Sequence, residues 1–249
     1  MAGKVAIVTG SSRGIGAAIA RRLAADGAAV VINGSARNNE AEAVVADIAR
    51  NGGRAVFVEA DLVGAEGADD LVRSTLDAYG QPDILVTNAG VGLWVEPGVG
   101  PLVDQVTEAD FDRVFAVNTR GVFFTLQAVA RVMNDGGRIV NISSSTTRFP
   151  NPGFSVYSGS KSGPLSFVDV LARELGPRGI TANSVILGPI AAGLLEDASP
   201  DVVAMLSAQS PLGRVGTVDD AADVVAFLAG DAARWISGER ILVNGAATV

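Results

Sequence analysis

Two side chains capable of acid–base chemistry stand four residues apart in the segment Tyr157-Ser158-Gly159-Ser160-Lys161. In a helix, residues at this spacing lie on one face. A tyrosine hydroxyl titrates near pH ~10 in water, and a neighbouring ammonium group stabilises the phenolate and lowers its pKa. Because the chain has no histidine, Tyr157 is the strongest acid–base candidate. The alternative is coincidence, which explains most isolated Tyr-x-x-x-Lys matches.

A glycine-rich turn, Thr9-Gly10-Ser11-Ser12-Arg13-Gly14-Ile15-Gly16, joins the first predicted strand to the first predicted helix. Gly10 permits a tight turn, and Gly14 and Gly16 let the backbone approach a pyrophosphate closely. The helix N-terminus then offers N–H groups and a positive dipole end to the phosphates. The spacing differs from the commoner G-x-G-x-x-G pattern, and an empty structural turn is the alternative. The strand–turn–helix context favours dinucleotide binding.

Polar residues at two further places in the sequence are candidates for the same site. Ser143, Ser144 and Ser145 follow an apolar strand, at the end of a parallel sheet where ligands bind in open α/β folds. A simple polar transition from strand to loop would explain at least one of the three. Asn118 falls inside a predicted helix among apolar neighbours, so we expect it to be buried and hydrogen-bonded.

Composition narrows the chemistry further. The chain has neither Cys nor His, which excludes disulfides, thiolate nucleophiles, Ser-His-Asp hydrolysis and zinc sites built from these residues. No catalytic metal is predicted. The net charge of −8 without a basic run argues against nucleic acid and anionic membranes as partners. With no apolar stretch long enough for a signal peptide or membrane span, the expected location is cytoplasmic.

Short apolar segments alternate with helical ones along all 249 residues. Strands are predicted near residues 5–8, 30–32, 56–58, 84–86, 138–142, 181–186 and 240–243. Repeated β-α-β units predict an α/β, doubly wound Rossmann fold, with a seven-stranded, mostly parallel sheet and helices on both faces. We expect a single dinucleotide-binding and catalytic domain over residues 1–249, with a mobile substrate lid at about 188–210.

These motifs together resemble those of the classical short-chain dehydrogenase/reductase family. The matches run in the family's order from Thr9-Gly10 through Gly16, Asp61-Leu62, Asn88-Ala89-Gly90, Asn118, Ser144, Tyr157, Lys161, Gly188-Pro189 and Pro211-Leu212-Gly213-Arg214. Bacterial 3-oxoacyl-carrier-protein reductases and related carbonyl reductases look most similar. The sequence departs from the family at Leu187, usually Pro, at Ala192, often Thr, and at Asn244-Gly245-Ala246, usually Asp-Gly-Gly.

The resemblance implies roles for individual residues. Tyr157 is the expected general acid or base, Lys161 holds the nicotinamide ribose, Ser144 orients the substrate oxygen, and Asn118 anchors a water in a proton relay. The implied cofactor-binding residues are Gly10, Ser12, Arg13, Gly14, Ile15, Gly16, Arg37, Asp61, Leu62, Asn88, Ala89, Gly90, Tyr157, Lys161, Gly188, Pro189 and Ile190. A homotetramer is also implied.

The predicted cofactor is NADP(H). NAD-specific sites place an acid about 20 residues beyond the glycine turn, but this chain has Asn33-Gly34-Ser35-Ala36-Arg37 there. Arg13 and Arg37 are candidates to bind a 2′-phosphate. The predicted function is reduction of a ketone or other carbonyl by direct hydride transfer. Three alternatives remain: an NAD-dependent alcohol or polyol dehydrogenase, a non-catalytic dinucleotide sensor, and a lyase or epimerase on a related fold.

Apolar residues near the expected site predict a pocket for bulky apolar carbonyl compounds. They are Leu93, Trp94, Phe149, Pro150, Phe154, Leu194 and Leu195. Ordinary core or subunit contacts explain the same residues equally well.

Overall fold

A computed structural model describes residues 1–95, 99–195 and 198–247. The side chain of Leu194 and parts of the expected lid lie outside the described residues. The strands are β1 (Val5–Val8), β2 (Ala29–Gly34), β3 (Arg54–Glu59), β4 (Ile84–Thr87), β5 (Arg138–Ser144), β6 (Thr181–Leu187) and β7 (Arg240–Val243). The helices are α1 (Gly14–Ala25), α2 (Asn39–Arg50), α3 (Ala65–Tyr79), α4 (Glu108–Phe115), α5 (Val122–Val132), α6 (Ser155–Glu174), α7 (Pro200–Gln209) and α8 (Val218–Ala229).

The strands form one seven-stranded sheet in the order β3-β2-β1-β4-β5-β6-β7. Every neighbouring pair is parallel, so the predicted doubly wound fold is confirmed and the sheet is parallel throughout rather than mostly so. The strand order reverses direction between β1 and β4. In open α/β sheets, ligands bind in the crevice at this switch point, outside the carboxyl ends of the strands.

Two apolar clusters fill the space between the sheet and its helices. Ala6 and Val8 pack with α1, α2 and α8 on one face, while Ile7 packs with α3, α5 and α6 on the other. Both faces of β1 are therefore buried, which explains why its four residues are all apolar. Tyr79 packs against the second cluster, with the Arg54 guanidinium over its ring, as expected for a structural tyrosine.

Side-chain caps set several helix boundaries. The Asn38 carboxamide oxygen accepts a hydrogen bond from the Ala41 N–H at the start of α2. Thr217 and Asp220 form a reciprocal capping box at α8, and Thr107 accepts from the Asp110 N–H at α4. These local signals were sufficient to locate the helix starts in the sequence.

The structure differs from the sequence expectation in two places. The helix predicted around Asn118 is interrupted by a π-helical segment over Ala116–Gly121, which contains Asn118 itself. The expected lid region also contains helix α7, capped by Ser199 and opened by Pro200. Proline at the first helical position is a common start signal, so Ser199-Pro200 is the sequence feature that marks this helix.

Among the described residues, no helix combines the length and apolar character needed to cross a bilayer. The same residues contain no group of three or more Asp or Glu side chains placed to hold a metal ion.

Candidate active site

The sequence-predicted residues converge at the carboxyl edge of the sheet. Gly10 follows β1, Asn88 follows β4, Ser144 ends β5, and Gly188 follows β6. The first two flank the switch point between β1 and β4. Tyr157 and Lys161 lie in the first half of α6, which packs on β5 and β6. The topology therefore brings segments separated by more than 170 residues of sequence to one crevice.

The glycine turn has the backbone conformation that its glycines permit. Gly10 and Gly14 have positive φ angles of 59° and 55°, in the region that side chains disfavour. At Gly16, a Cβ atom would lie 2.5 Å from the Asn88 amide nitrogen and would collide with the Gly10 carbonyl oxygen. Gly16 is therefore required for close packing, and Gly10 and Gly14 for the turn itself.

Asn88 holds this turn to the end of β4. Its amide nitrogen donates to the carbonyl oxygens of Thr9, at 3.0 Å, and Gly10, at 2.9 Å. The Thr9 hydroxyl in turn accepts hydrogen bonds from the backbone N–H groups of Asn88 and Ala89, both at 3.0 Å. These bonds direct the turn carbonyls into the protein. The N-terminus of α1 begins after Arg13 without a side-chain cap, so its N–H groups remain available to an anion.

Tyr157 lies partly buried beside Ser144. Burial raises the pKa of the Tyr157 phenol, and a hydrogen bond with the Ser144 side chain opposes that rise. The neighbouring serines are placed differently: Ser143 is buried and donates to the Lys161 carbonyl oxygen at 3.2 Å, and Ser145 begins a short 3₁₀ turn. Ser144 is therefore the serine whose hydroxyl shares the site with the Tyr157 phenol.

Lys161 is a buried cation, with only 6% of its surface exposed. Its ammonium group donates to the Ile142 carbonyl oxygen at 3.3 Å, and burial lowers its pKa to about 8. A Cβ atom at Gly90 would lie 2.8 Å from this ammonium nitrogen, so glycine leaves the space that the lysine head occupies. No acidic side chain among the described residues neutralises Lys161, which leaves a positive charge beside the crevice.

Asn118 is fully buried and its amide is paired, as the sequence predicts. The Oδ1 atom accepts from the Val91 N–H at 2.8 Å, and Nδ2 donates to the Val91 carbonyl oxygen at 2.8 Å and to the Ser160 hydroxyl at 2.9 Å. Asn118 therefore joins the loop after β4 to helix α6. Asn118 lies in a π-helical segment, an irregularity that is frequent at functional sites.

The segment after β2 contains no acidic residue before Glu40, but two acidic side chains from neighbouring elements contact Arg37. Glu59, at the end of β3, pairs with Gly34 in the parallel register and accepts a hydrogen bond from the Arg37 N–H at 3.1 Å. The Arg37 guanidinium forms an ion pair with Glu42. Glu59 could not be identified as a neighbour from the sequence, because only the β2–β3 register brings it to Arg37. Arg13, by contrast, is exposed and has no acidic partner among the described residues.

The remaining predicted cofactor residues surround the same crevice. Asp61 lies just beyond β3, where its carboxylate accepts from the Val63 N–H at 3.1 Å. Leu62 and Ala89 line a small cavity with Thr9. Gly188 donates its N–H to the Val243 carbonyl oxygen at 2.9 Å, and Ile190 is buried. Ser12 and Ile15 lie within the glycine turn, and Pro189 lies in the segment after β6.

Aromatic side chains gather next to Tyr157. The Trp94 indole lies 5.5 Å from the Tyr157 ring and 5.3 Å from the Phe154 ring, measured between centroids. Of the other residues predicted to line a pocket, Phe149 packs under the Arg148 guanidinium and Leu195 is buried. The structure thus brings Trp94 and Phe154 to the predicted acid–base residue.

The fold and this site define a doubly wound α/β protein with a tyrosine–lysine pair at its switch-point crevice. The sequence model of the family described as Enoyl-(Acyl carrier protein) reductase matches residues 10–248. The chain is 38% identical to the 3-oxoacyl-[acyl-carrier-protein] reductase of Synechocystis sp., covering 97% of this chain and 96% of that protein.

Solved structures agree with this assignment. A short-chain dehydrogenase/reductase mutant from Serratia marcescens superposes with a TM-score of 0.92 at 40% identity, covering 100% of this chain and 99% of the other. A blue fluorescent protein from a metagenomic library, in complex with NADPH, superposes with a TM-score of 0.91 at 39% identity, again covering 100% and 99%. The chain belongs to the short-chain dehydrogenase/reductase family, which confirms the resemblance found in the sequence.

The residues present fit a nicotinamide dinucleotide. The α1 N-terminus lacks a side-chain cap, and a Cβ at Gly14 would meet only the Ala192 methyl group, at 3.9 Å, so open space faces this turn. The Lys161 ammonium also lies in the crevice without an acidic partner among the described residues. Free N–H groups, open space and an unneutralised cation are features that suit an anionic dinucleotide.

Proposed function

We propose that this oxidoreductase reduces ketones or other carbonyl compounds to alcohols with NADP(H). The observation that carries the proposal is the placement of the Tyr157 phenol beside the Ser144 hydroxyl, one helical turn from the buried Lys161 ammonium. In a chain without histidine, this group supplies both a proton and the means to stabilise the anion left behind.

The residues act together on the carbonyl oxygen. The hydroxyls of Ser144 and Tyr157 donate hydrogen bonds to it as negative charge develops. When bound, NADPH supplies the hydride that forms the new C–H bond at the carbonyl carbon. The Tyr157 proton moves to the oxygen and completes the alcohol. The Lys161 ammonium stabilises the resulting phenolate, and Asn118 keeps the loop after β4 in place through its two hydrogen bonds to Val91.

The cofactor preference follows from the charges around the 2′-position. An acid on the loop after β2 would repel a 2′-phosphate, and that loop has none before Glu40. Glu59 reaches the loop from β3, where its carboxylate accepts a hydrogen bond from the Arg37 N–H. Arg37 already pairs with Glu42, whereas Arg13 is exposed without an acidic partner among the described residues. We therefore assign phosphate binding chiefly to Arg13. Binding of NADPH by the metagenomic relative supports the same cofactor.

The testing experiment measures NADPH and NADH consumption with a panel of ketones, 3-oxoesters, diketones and acyl-thioesters. We expect a higher kcat/KM with NADPH, and a loss of at least about 100-fold in turnover for Tyr157→Phe with cofactor affinity retained. Alanine at Ser144 should cost more activity than at Ser143 or Ser145. Tight NADPH binding without turnover would instead favour a dinucleotide sensor, and a preference for NADH with alcohols would favour an NAD-linked dehydrogenase.

We further infer that the protein is cytoplasmic and that residues 188–210, including α7, close over the substrate. We also infer that it assembles as a homotetramer. Phe227 on α8 and Val170 on α6 are exposed, so apolar surface is available for subunit contacts. Light scattering at micromolar concentration tests the assembly, and a monomer would contradict it.

A further inference from the structure

Three aromatic rings lie together at the proposed reaction centre: those of Trp94, Phe154 and Tyr157 itself. Aromatic residues make up only 5% of the chain. The Trp94 ring is tilted by 51° to that of Tyr157 and by 62° to that of Phe154. The Phe154 and Tyr157 rings lie 6.4 Å apart at 72°. We call Trp94 and Phe154 the aromatic wall. Both residues are only partly buried, so the wall retains surface that a ligand can contact.

The wall is held in place through the backbone of two loops. On the Trp94 side, Asn118 binds both backbone groups of Val91, and Arg113 donates to the Gly92 carbonyl oxygen at 3.3 Å. A Cβ at Gly92 would overlap the indole ring of Trp94. Glycine at this position therefore allows the indole to fold back against its own loop.

The second loop is joined to the first by a contact between glycines. A Cβ at Gly100 would collide with the Gly153 carbonyl oxygen, and one at Gly153 would collide with the Gly100 carbonyl oxygen. Phe154 follows directly and is the N-cap residue of α6, where its carbonyl oxygen accepts from the Ser158 N–H at 2.7 Å. The wall is thus fixed relative to Tyr157, three residues further along the same helix.

We propose that the aromatic wall makes this enzyme selective for carbonyl compounds carrying a planar aromatic group. The proposal rests on the carbonyl reductase function above and names its substrate class. A substituent on a carbonyl bound at the Tyr157 hydroxyl lies next to the indole, because the indole contacts the tyrosine ring itself. Trp94 is a specificity-determining residue in this assignment and takes no part in proton transfer.

An aromatic ring and a saturated ring of similar size differ in how favourably they contact the aromatic wall. Offset or edge-to-face contacts between aromatic rings add about 0.5–1.5 kcal/mol beyond burial of the same area. This range corresponds to about 2- to 12-fold in kcat/KM for one contact. The fixed loops avoid much of the cost of ordering the wall around a ligand. We expect a preference of about tenfold for the aromatic member of a matched pair.

The test compares 4-phenyl-2-butanone with 4-cyclohexyl-2-butanone at saturating NADPH. Two methylene groups separate each ring from the carbonyl, so the intrinsic reactivity of the two ketones is similar. We expect the wild-type enzyme to favour the phenyl ketone about tenfold in kcat/KM, and Trp94→Leu to reduce the ratio to about 1–2. Trp94→Phe should retain most of the preference. Gly92→Ala, which displaces the indole without replacing it, should act like Trp94→Leu.

Trp235→Leu is the matched control, since it removes the chain's other tryptophan at an exposed position, and its ratio should equal that of the wild type. A wild-type ratio near 1, or an unchanged ratio in folded Trp94→Leu and Gly92→Ala, overturns the proposal. If neither ketone consumes NADPH, the proposed function fails instead. Calorimetric binding of both ketones to Tyr157→Phe then still tests the wall: equal affinities refute it, and tighter binding of the phenyl ketone supports it.

Discussion

Replacing Lys161 with methionine should stabilise the protein while abolishing its activity. The Lys161 ammonium is buried, makes one hydrogen bond, to the Ile142 carbonyl oxygen, and has no acidic partner among the described residues. A buried charge of this kind is costly to the folded state. Methionine fills a similar space without a charge. The same charge is what we propose for stabilising the Tyr157 phenolate, so its removal should reduce kcat by at least about 100-fold.

The magnitude follows from the pKa. Burial lowers the pKa of Lys161 from 10.5 to about 8, and this difference corresponds to about 3 kcal/mol against the charged form. Loss of the hydrogen bond to Ile142 costs about 1–2 kcal/mol. We therefore expect Lys161→Met to be more stable than the wild type by about 1–2 kcal/mol at pH 7, without cofactor.

The effect has a defined pH dependence. Because the folded-state pKa of Lys161 lies below the unfolded one, the unfolded chain binds more protons between about pH 8 and 10.5. The stability contributed by this group therefore rises with pH across that window. Lys161→Met lacks this dependence, so its advantage should be full below pH 8 and should disappear towards pH 10.5.

Two measurements check this prediction. Urea unfolding of both proteins gives the free-energy difference at pH 7 and pH 10. NMR of ¹³Cε-labelled lysine gives the pKa directly, because Lys4 and Lys161 are the only lysines in the chain and the variant assigns the two signals. Lys4→Met is the control, since Lys4 is partly exposed and paired with Asp83. A variant less stable than the wild type at pH 7, or a difference unchanged at pH 10, would refute the reasoning.

Three further predictions concern the backbone and the cofactor turn. Gly34→Asp should lower kcat/KM for NADPH at least about tenfold relative to NADH, because its carboxylate repels the 2′-phosphate. The neutral Gly34→Asn should not change this ratio, and equal effects of the two substitutions would contradict the electrostatic account. Gly16→Ala should weaken NADPH binding at least about tenfold in a fluorescence titration, because its Cβ would meet Gly10 and Asn88; Gly176→Ala, in open space, should bind normally. Ala246 has a φ of 59°, so Ala246→Gly should raise stability by about 0.5–1 kcal/mol in urea, and a lower urea midpoint would count against it.

Local sequence signals were sufficient for most of the fold. The short apolar segments predicted all seven strands within two residues of their observed bounds. Such features depend on neighbours within a few residues, which is why they could be read directly. The fold class followed from their alternation along the chain.

Features that depend on distant contacts could not be predicted in the same way. The buried amide of Asn118 was expected, but not its partner Val91, because Val91 lies 27 residues away in the loop after β4. Glu59 reaches Arg37 only through the β2–β3 register. The aromatic wall likewise depends on a backbone contact between Gly100 and Gly153. The spacing of residues along the chain does not predict these long-range contacts.

The bonds from Asn88 and Ala89 to Thr9 and Gly10 have a consequence for how this fold can be divided. The glycine turn is encoded near the N-terminus, yet the carbonyl oxygens of Thr9 and Gly10 are satisfied by a residue 78 or more positions later. A fragment comprising only β1, β2 and β3 therefore does not carry a complete nucleotide-binding unit. During synthesis the turn is completed only once β4 has left the ribosome. In gene recombination, a crossover between β3 and β4 preserves the turn only when the incoming half supplies an equivalent asparagine.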